Sequence, residues 1–181
     1  MSGRRAPKGD RQERTAGEWY ATAIRYLSRY ACSTARLRGY LERKGCPSDL
    51  AVSITHDLEE KGYLNDTEYA KLLADSLKER YGPRRILTRL LSREISREIA
   101  TEAVDRISEE EQLRAAQGAA ERFLNRPSTA TLAPEEVRRA LMRHLLSRGF
   151  DYAIVRALVN EHIRCLRGMY DFDAEDIPDE Q

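Results

Sequence analysis

The sequence predicts an all-α protein in which three tandem three-helix repeats, each resembling a helix-turn-helix, form an elongated curved solenoid. Apolar residues recur at three- and four-residue spacing along nearly the whole chain, and the β-branched alternation of a strand is missing. Short breaks rich in glycine and proline divide this pattern into roughly nine helices. The same apolar positions return in three successive helix pairs, which is typical of a repeat protein.

The repeated pattern is an apolar seam through two helices and the turn that joins them. The second copy follows the first by 49 residues, and the third follows after a further 55. Six of the seven positions keep their apolar or basic character, and His162 is the exception. A third helix precedes each pair, at about residues 17–31, 66–80 and 110–125. The copies are Leu37, Leu41, Lys44, Cys46, Leu50, Ile54 and Leu58; Ile86, Leu90, Arg93, Ile95, Ile99, Ala103 and Ile107; and Leu141, Leu145, Arg148, Phe150, Ile154, Leu158 and His162.

Residues that favour helix N-termini lie before or at the predicted helix starts. Ser33 and Ser48 are expected to cap their helices, and Asp66 opens another. Pro83 and Pro134 fall in first turns, where the missing N–H costs nothing. The predicted segments are a basic arm over residues 1–15, repeats over 16–64, 65–108 and 109–168, and an acidic tail over 169–181.

Charge is distributed unevenly, although the net charge of the chain is only +1. Residues 1–14 carry +3, the residues from 171 onward carry −6, and the body between them carries +4. This distribution favours a polyanionic partner, with the tail competing for the same surface.

The composition points to a cytoplasmic protein. Mean hydropathy is −0.66, and the sequence has no apolar run of about 18 residues that could cross a membrane. The charged N-terminus is not followed by the apolar stretch of a secretory signal. Cys32, Cys46 and Cys165 show neither disulfide nor zinc spacing, so three small thiols are expected.

Catalytic and cofactor-binding motifs are missing from the sequence, which has no phosphate loop, dinucleotide fingerprint, zinc-protease helix or nucleophile elbow. We therefore expect neither an enzyme nor a cofactor. His144 and His162 could approach each other in the third repeat. Because they have few partner ligands, a metal site is not expected.

Basic side chains recur on the first helix of each repeated pair. In the second copy, Arg85, Arg89 and Arg93 lie opposite the apolar stripe, with Arg84 beside them. Guanidinium groups in such a row can bind phosphates or the carboxylates of an acidic protein surface. The alternative is a solvated polar face, part of which nearby glutamates neutralise. The corresponding helices carry Arg36, Arg38, Arg43 and Lys44 in the first copy and Arg138, Arg139, Arg143 and Arg148 in the third. Of these, Arg36, Arg43, Lys44, Arg138, Arg139 and Arg143 are the candidate site residues.

Aromatic residues cluster in the first two repeats, and two interpretations are open. Most are expected to be core residues that keep a hydroxyl in water, whereas exposed ones could stack on unpaired bases. They are Trp19, Tyr20, Tyr26, Tyr30, Tyr40, Tyr63, Tyr69 and Tyr81.

Several junction motifs follow one another in a fixed order over about residues 18–165. They are Ala23-x3-Leu27-Ser28-Arg29, Ser33-x3-Leu37-Arg38-x2-Leu41, Lys44-Gly45, Asp57-Leu58-x3-Gly62-Tyr63-Leu64-Asn65-Asp66, Tyr69-Ala70 and Gly82-Pro83-Arg84-Arg85-Ile86. In these motifs the chain resembles the RecX family, cytoplasmic bacterial modulators of the RecA recombinase. The chain departs from the family pattern in three places. The Cys46-Pro47 turn lies where the family commonly has an aromatic residue, the connection over 126–134 is lengthened, and the acidic tail is an addition.

The resemblance implies a three-repeat solenoid that lies in the deep groove of the RecA-DNA filament. There it would dampen ATP hydrolysis, strand exchange and filament growth, without enzymatic activity or a cofactor. We separately expect a monomer. The resemblance makes Arg84, Arg85, Arg89 and Arg93 a surface for the DNA or protein of the filament, and it makes the junction from Gly62 to Asp66 mainly structural. DNA of either strandedness would be bound without sequence preference. Two rivals are a sequence-specific helix-turn-helix regulator and a protein adaptor that contacts no DNA.

Overall fold

The computed structural model describes residues 14–172, apart from the side chains of Ala130 and of residues 163–172. Most of the predicted arm and tail, and the side chain of Cys165, therefore lie outside the described residues. The described part of the chain is helical without a strand, so the predicted all-α class is confirmed. Its helices are α1 (Ala16–Leu27), α2 (Thr34–Arg43), α3 (Ser48–Glu60), α4 (Asp66–Leu77), α5 (Pro83–Leu91), α6 (Arg97–Asp105), α7 (Glu109–Leu124), α8 (Pro127–Ala130), α9 (Pro134–Ser147) and α10 (Tyr152–Phe172).

Three helix trios each surround a core of their own. Leu37, Leu41 and Leu58 are fully buried among α1, α2 and α3. Ile86 and Leu90 are the corresponding residues among α4, α5 and α6. The third core, among α7, α9 and α10, contains Leu141, Leu145 and Phe150. The short helix α8 is an addition to the third trio, within the segment expected to be a connection.

The described helices form two compact units, one that ends at Asn65 and one that begins at Asp66. The first trio makes up the first unit, and the second and third trios share the other. The five segment boundaries and the curved solenoid shape stay predictions.

The predicted seam is buried, but the second helix of each pair is rotated slightly from the expected face. Leu50, Ile99 and Ile154 are half-buried, whereas the residues that follow them are fully buried. The additional core positions are Ala51, Ala100 and Val155, followed one turn later by Thr55, Val104 and Val159. Ala51, Thr55 and Ala100 were missed because alanine and threonine give a weak hydrophobic signal. The three valines were missed because the repeat pattern was aligned on the residues that precede them.

The turn within each pair has the same backbone geometry in all three copies. Its central residue has a positive φ, at 98° in Gly45, 62° in Glu94 and 84° in Gly149. The next residue is buried, and its N–H donates to a carbonyl five residues earlier, as in a Schellman motif. The three bonds are Cys46 N to Leu41 O at 3.0 Å, Ile95 N to Leu90 O at 3.4 Å and Phe150 N to Leu145 O at 3.4 Å. Cys46 therefore occupies the core position of the larger Ile95 and Phe150.

Most of the predicted helix starts are observed. The Ser33 hydroxyl accepts the Arg36 N–H at the start of α2, and Pro83 and Pro134 begin α5 and α9. The expectation for Ser48 was wrong, since Pro47 occupies the N-cap position and Ser48 is already the first residue of α3. Its hydroxyl instead donates to the Glu42 carboxylate at 2.7 Å.

The junction from Gly62 to Asp66 ends α3 and starts α4. Gly62 has a φ of 75°, and the Tyr63 N–H donates to the Leu58 carbonyl at 2.8 Å. Leu64 is buried in the core of the first unit, and α4 begins at Asp66. These positions agree with the expectation that the motif has a mainly structural role.

Backbone hydrogen bonds and an ion pair are among the contacts that join the second and third trios. At α5, the Gly82 N–H donates to the Arg148 carbonyl at 2.9 Å, and the Arg84 N–H donates to the Gly149 carbonyl at 3.2 Å. At α7, the Lys78 ammonium lies 2.8 Å from the Glu111 carboxylate. This ion pair and the Ser108 N–H lower the pKa of Glu111 to about 2.

Candidate binding surface

Helix α5 exposes its arginines to solvent next to its buried residues. Ile86 and Leu90 are fully buried, whereas Arg85 and Arg89 are exposed. Arg93 is also exposed but lies just after the helix, which ends at Leu91. The short helix thus carries exposed guanidinium groups at Arg85 and Arg89, and Arg93 adds a third just beyond its end.

The start of this helix is fixed by the third trio. Gly82 packs so closely against Gly149 that a Cβ atom at position 82 would overlap the Gly149 carbonyl. The Arg84 guanidinium lies 3.6 Å from the Asp151 carboxylate, with both side chains largely exposed. Part of the charge of Arg84 is therefore already neutralised, and exposed pairs of this kind contribute little to stability.

Tyr81 brings two arginines from different helices together. The Arg89 Cζ lies 5.2 Å from the centroid of the Tyr81 ring, and the Arg148 Cζ lies 5.6 Å from it. Both distances are within the range of a cation-π interaction. The arginine row of α5 therefore meets the end of α9 at one half-buried ring.

Arg148 is held in place by two further contacts. Its Nε donates to the His144 Nε2 at 3.0 Å, and its Nη1 donates to the Arg80 carbonyl at 3.0 Å. Burial, and after it the positive charges of Arg148, Arg126 and Arg122, lower the pKa of His144. The lowered pKa favours the neutral imidazole, which can accept the hydrogen bond from Arg148.

On the other side of His144 lies the end of α7. The imidazole and the Phe123 ring have centroids 4.7 Å apart, and the Arg126 Cζ lies 5.3 Å from the centroid of the Phe123 ring. Phe123, Arg122 and Arg126 were not among the residues predicted for the site. The four-residue spacing of the two arginines was the available signal, but only the fold brings them to α9.

The candidate residues of the third copy differ in their surroundings. Arg138 is half-buried and lies 3.5 Å from the Glu135 carboxylate, so its charge is partly compensated. Arg139 and Arg143 are exposed on α9.

The candidates of the first copy belong to the other compact unit. Arg36 is half-buried, and Arg43 is exposed. The Lys44 Nζ lies 5.8 Å from the centroid of the Tyr40 ring. The structure thus connects α5 with the end of α9, and a common surface for all three copies stays a prediction.

The aromatic residues divide between the two interpretations. Trp19 is 4% exposed, and five tyrosines are half-buried, which confirms the core interpretation for most of the group. Tyr30 and Tyr63 are exposed at 59% and 62%. The half-buried tyrosines are Tyr20, Tyr26, Tyr40, Tyr69 and Tyr81.

Thiols, metal ligands and membrane helices add no further site within the described residues. Cys32 and Cys46 are buried, as expected of small core thiols. The described residues contain no group of three or more His, Cys, Asp or Glu side chains that could hold a metal ion. Within the same part of the chain, no helix combines the length and the apolar character needed to span a bilayer.

Comparison with known proteins gives one consistent relationship. Residues 109–159 match the family model for "RecX, third three-helix domain". The Regulatory protein RecX of Leptothrix cholodnii is 30% identical over 138 residues, covering 76% of this chain and 84% of that protein. The Regulatory protein RecX of Bacillus licheniformis is 28% identical over 144 residues, 78% of this chain but 54% of the relative. The chain therefore spans about half the length of the Bacillus relatives that it matches.

The fold is also that of a solved relative. The crystal structure of RecX from Lactobacillus salivarius superposes with a TM-score of 0.73 at 21% sequence identity, covering 81% of this chain and 95% of that chain. The tandem helix trios, their junctions and the similarity to the Leptothrix protein lead to the same conclusion: the chain belongs to the RecX family of regulatory proteins.

Proposed function

We propose that this protein binds the RecA-DNA nucleoprotein filament and inhibits RecA, dampening ATP hydrolysis, strand exchange and filament growth. Through this it would modulate DNA repair and homologous recombination in the cytoplasm. It would act as a monomer, without enzymatic activity or a cofactor, and without preference for a DNA sequence. Membership of a family whose proteins are named regulatory supports the proposal.

The observation that carries the proposal is the exposed arginine edge of α5. Arg85, Arg89 and Arg93 are exposed at a helix whose start is fixed by hydrogen bonds to the third trio. Because guanidinium is a planar fork of donors, these side chains can form paired hydrogen bonds to phosphate or carboxylate oxygens. If they bridge groups on successive filament subunits, the subunit motions that accompany ATP turnover become costly.

A triple charge reversal, Arg85→Glu with Arg89→Glu and Arg93→Glu, tests this surface. We expect at least about tenfold more of the variant to be needed for half-inhibition of the DNA-dependent ATPase of RecA. A matched control reverses three exposed arginines elsewhere in the same unit: Arg97, Arg106 and Arg114. The control should inhibit like the parent protein. A triple α5 variant with unchanged helicity and full inhibitory strength would rule out the assigned surface.

The charges on the helices that would contact the bases argue against the alternative function as a sequence-specific helix-turn-helix regulator. In that arrangement the second helix of each pair enters the major groove. The exposed residues of α6 include Glu98, Glu102 and Asp105, and those of α3 include Asp49 and Glu60. These carboxylates would repel the phosphates that line a groove. A footprint confined to one duplex sequence would nevertheless favour the rival over filament binding.

The adaptor rival requires that the protein contact no DNA. It predicts that a protein-free oligonucleotide stays unbound at low salt. Our proposal predicts binding that weakens steeply as salt rises, because phosphate contacts release counterions. Salt titration of fluorescence anisotropy with a labelled oligonucleotide separates the two.

A further inference from the structure

We propose that the arginine edge of α5 is one end of a longer site for single-stranded nucleic acid, which crosses the end of α9 and finishes at the end of α7. The site is a ladder in which cations and rings are interleaved. This site extends the function proposed above, and it rests on the contact with DNA that the function requires. The residues of this cation-aromatic ladder are Arg89, Tyr81, Arg148, His144, Phe123 and Arg126.

The ladder is continuous, because each of its residues contacts the next. The guanidinium groups of Arg89 and Arg148 lie 5.2 Å and 5.6 Å from the centroid of the Tyr81 ring. Arg148 is hydrogen-bonded to His144 at 3.0 Å. His144 packs on Phe123 with centroids 4.7 Å apart. The last step joins Phe123 to the Arg126 guanidinium at 5.3 Å.

The ladder arginines differ in their charge environment from other arginines nearby. Within the part of the chain that the structure describes, none of Arg89, Arg126 and Arg148 forms an ion pair with a carboxylate, unlike Arg84 and Arg138. Arg122 also lies close enough for its charge to lower the pKa of His144. Guanidinium groups gathered around a neutral imidazole in this way repel one another, and a bound anion would offset that repulsion.

The alternation of cations and rings favours a single strand over a duplex. Proteins that bind single strands combine cations that follow the backbone with rings on which unpaired bases stack. In a duplex the base faces are covered by stacking, so the rings of Tyr81 and Phe123 would find no partner. Both rings are half-buried, which leaves part of each surface available to a base when a phosphate draws the guanidinium aside.

The far end of the ladder provides a test that leaves α5 unchanged. The double variant Arg122→Gln and Arg126→Gln removes two exposed charges at the end of α7. We expect it to bind labelled dT20 about tenfold more weakly by fluorescence anisotropy. The slope of log K against log salt should fall by about 1.4, because a single strand contributes about 0.7 per phosphate contact. Arg106→Gln with Arg114→Gln is the charge-matched control and should behave like the parent protein.

Phe123→Leu separates stacking from charge. Leucine retains an apolar contact with the third core and keeps every charge in place. Affinity for dT20 should fall about fivefold or more, whereas the salt slope and the affinity for a duplex of the same length should stay as in the parent. Equal weakening for single strand and duplex would overturn the assignment of the ladder to unpaired bases.

His144 provides a direct spectroscopic readout. Nearby phosphates would offset the charges of Arg122, Arg126 and Arg148, so addition of dT20 should raise the pKa of His144 in an NMR titration. An unchanged His144 pKa, or parent-like binding and salt slope in the double α7 variant, would overturn the ladder. The proposed α5 surface is tested separately, by the ATPase assay on the triple variant of Arg85, Arg89 and Arg93. Failure of the ladder can therefore be distinguished from failure of the α5 surface.

Discussion

Glu94 occupies a backbone position that the other two copies give to glycine. Its φ is 62°, whereas the equivalent Gly45 and Gly149 have φ values of 98° and 84°. A side chain in the left-handed region brings Cβ close to a carbonyl oxygen, which costs about 1–2 kcal/mol. The repeat pattern correctly predicted that Arg93 and Ile95 lie in the turn between the two helices. It could not predict the strain at Glu94, because the positive φ follows from the geometry of the turn.

Replacing Glu94 by glycine should stabilise the second trio. We expect Glu94→Gly to raise the free energy of unfolding by about 0.5–1 kcal/mol, since relief of the strain exceeds the entropy that glycine loses on folding. Urea unfolding followed by circular dichroism measures the change. The reverse kind of substitution, Gly45→Ala, serves as a control and should cost about 1 kcal/mol. A destabilised Glu94→Gly protein would show that Glu94 makes a compensating contact.

At the scale of elements, the contact between α5 and the α9-α10 turn explains the Gly82-Pro83 junction. The sequence motif marked the family resemblance, but its packing partner Gly149 lies 67 residues away in the chain. Periodicity predicts which face of a helix is buried, and it carries no information on which backbone segments touch. The same limit applies to the ladder. The α5 arginines were found from their spacing, whereas their connection to Phe123 through Arg148 and His144 required the fold.

Gly149 is predicted to tolerate no side chain. A Cβ atom there would overlap the backbone N and the Cβ of Arg85, and φ is positive. We therefore expect Gly149→Ala to cost about 3 kcal/mol, combining overpacking with the left-handed backbone. Gly62 also has a positive φ, but a Cβ atom at that position would meet nothing within 4 Å. Gly62→Ala is thus the control and should cost about 1 kcal/mol. Equal losses in urea unfolding would show that close packing at Gly149 contributes nothing.

At the scale of the whole molecule, the repeat was predictable because each trio buries the same kind of seam. Leu41, Leu90 and Leu145 are fully buried as expected, since the spacing of large apolar residues is a strong signal. Ala51 and Ala100 were missed because their small side chains count little in that pattern. Charge patterning is likewise visible in sequence. The pairing of side chains such as Arg84 with Asp151 is not, since it depends on how the second and third trios pack.

The acidic C-terminal residues should weaken the attraction of the whole chain for polyanions. Replacing five of them by their amides changes the formal net charge from +1 to +6 without shortening the chain. We expect this amide variant to bind dT20 several-fold more tightly at low salt, because long-range repulsion falls. The difference should shrink as the Debye length drops to about 3 Å at 1 M salt. The substituted residues are Asp173, Glu175, Asp176, Asp179 and Glu180.

Anisotropy titrations at several salt concentrations measure the effect of the tail charge. The control variant keeps the same five acidic residues in shuffled order, so its net charge stays at +1. Because long-range repulsion depends on the amount of charge more than on its order, the shuffled tail should bind dT20 like the parent protein. A low-salt affinity of the amide variant equal to that of the parent would show that the tail does not compete for the basic surface.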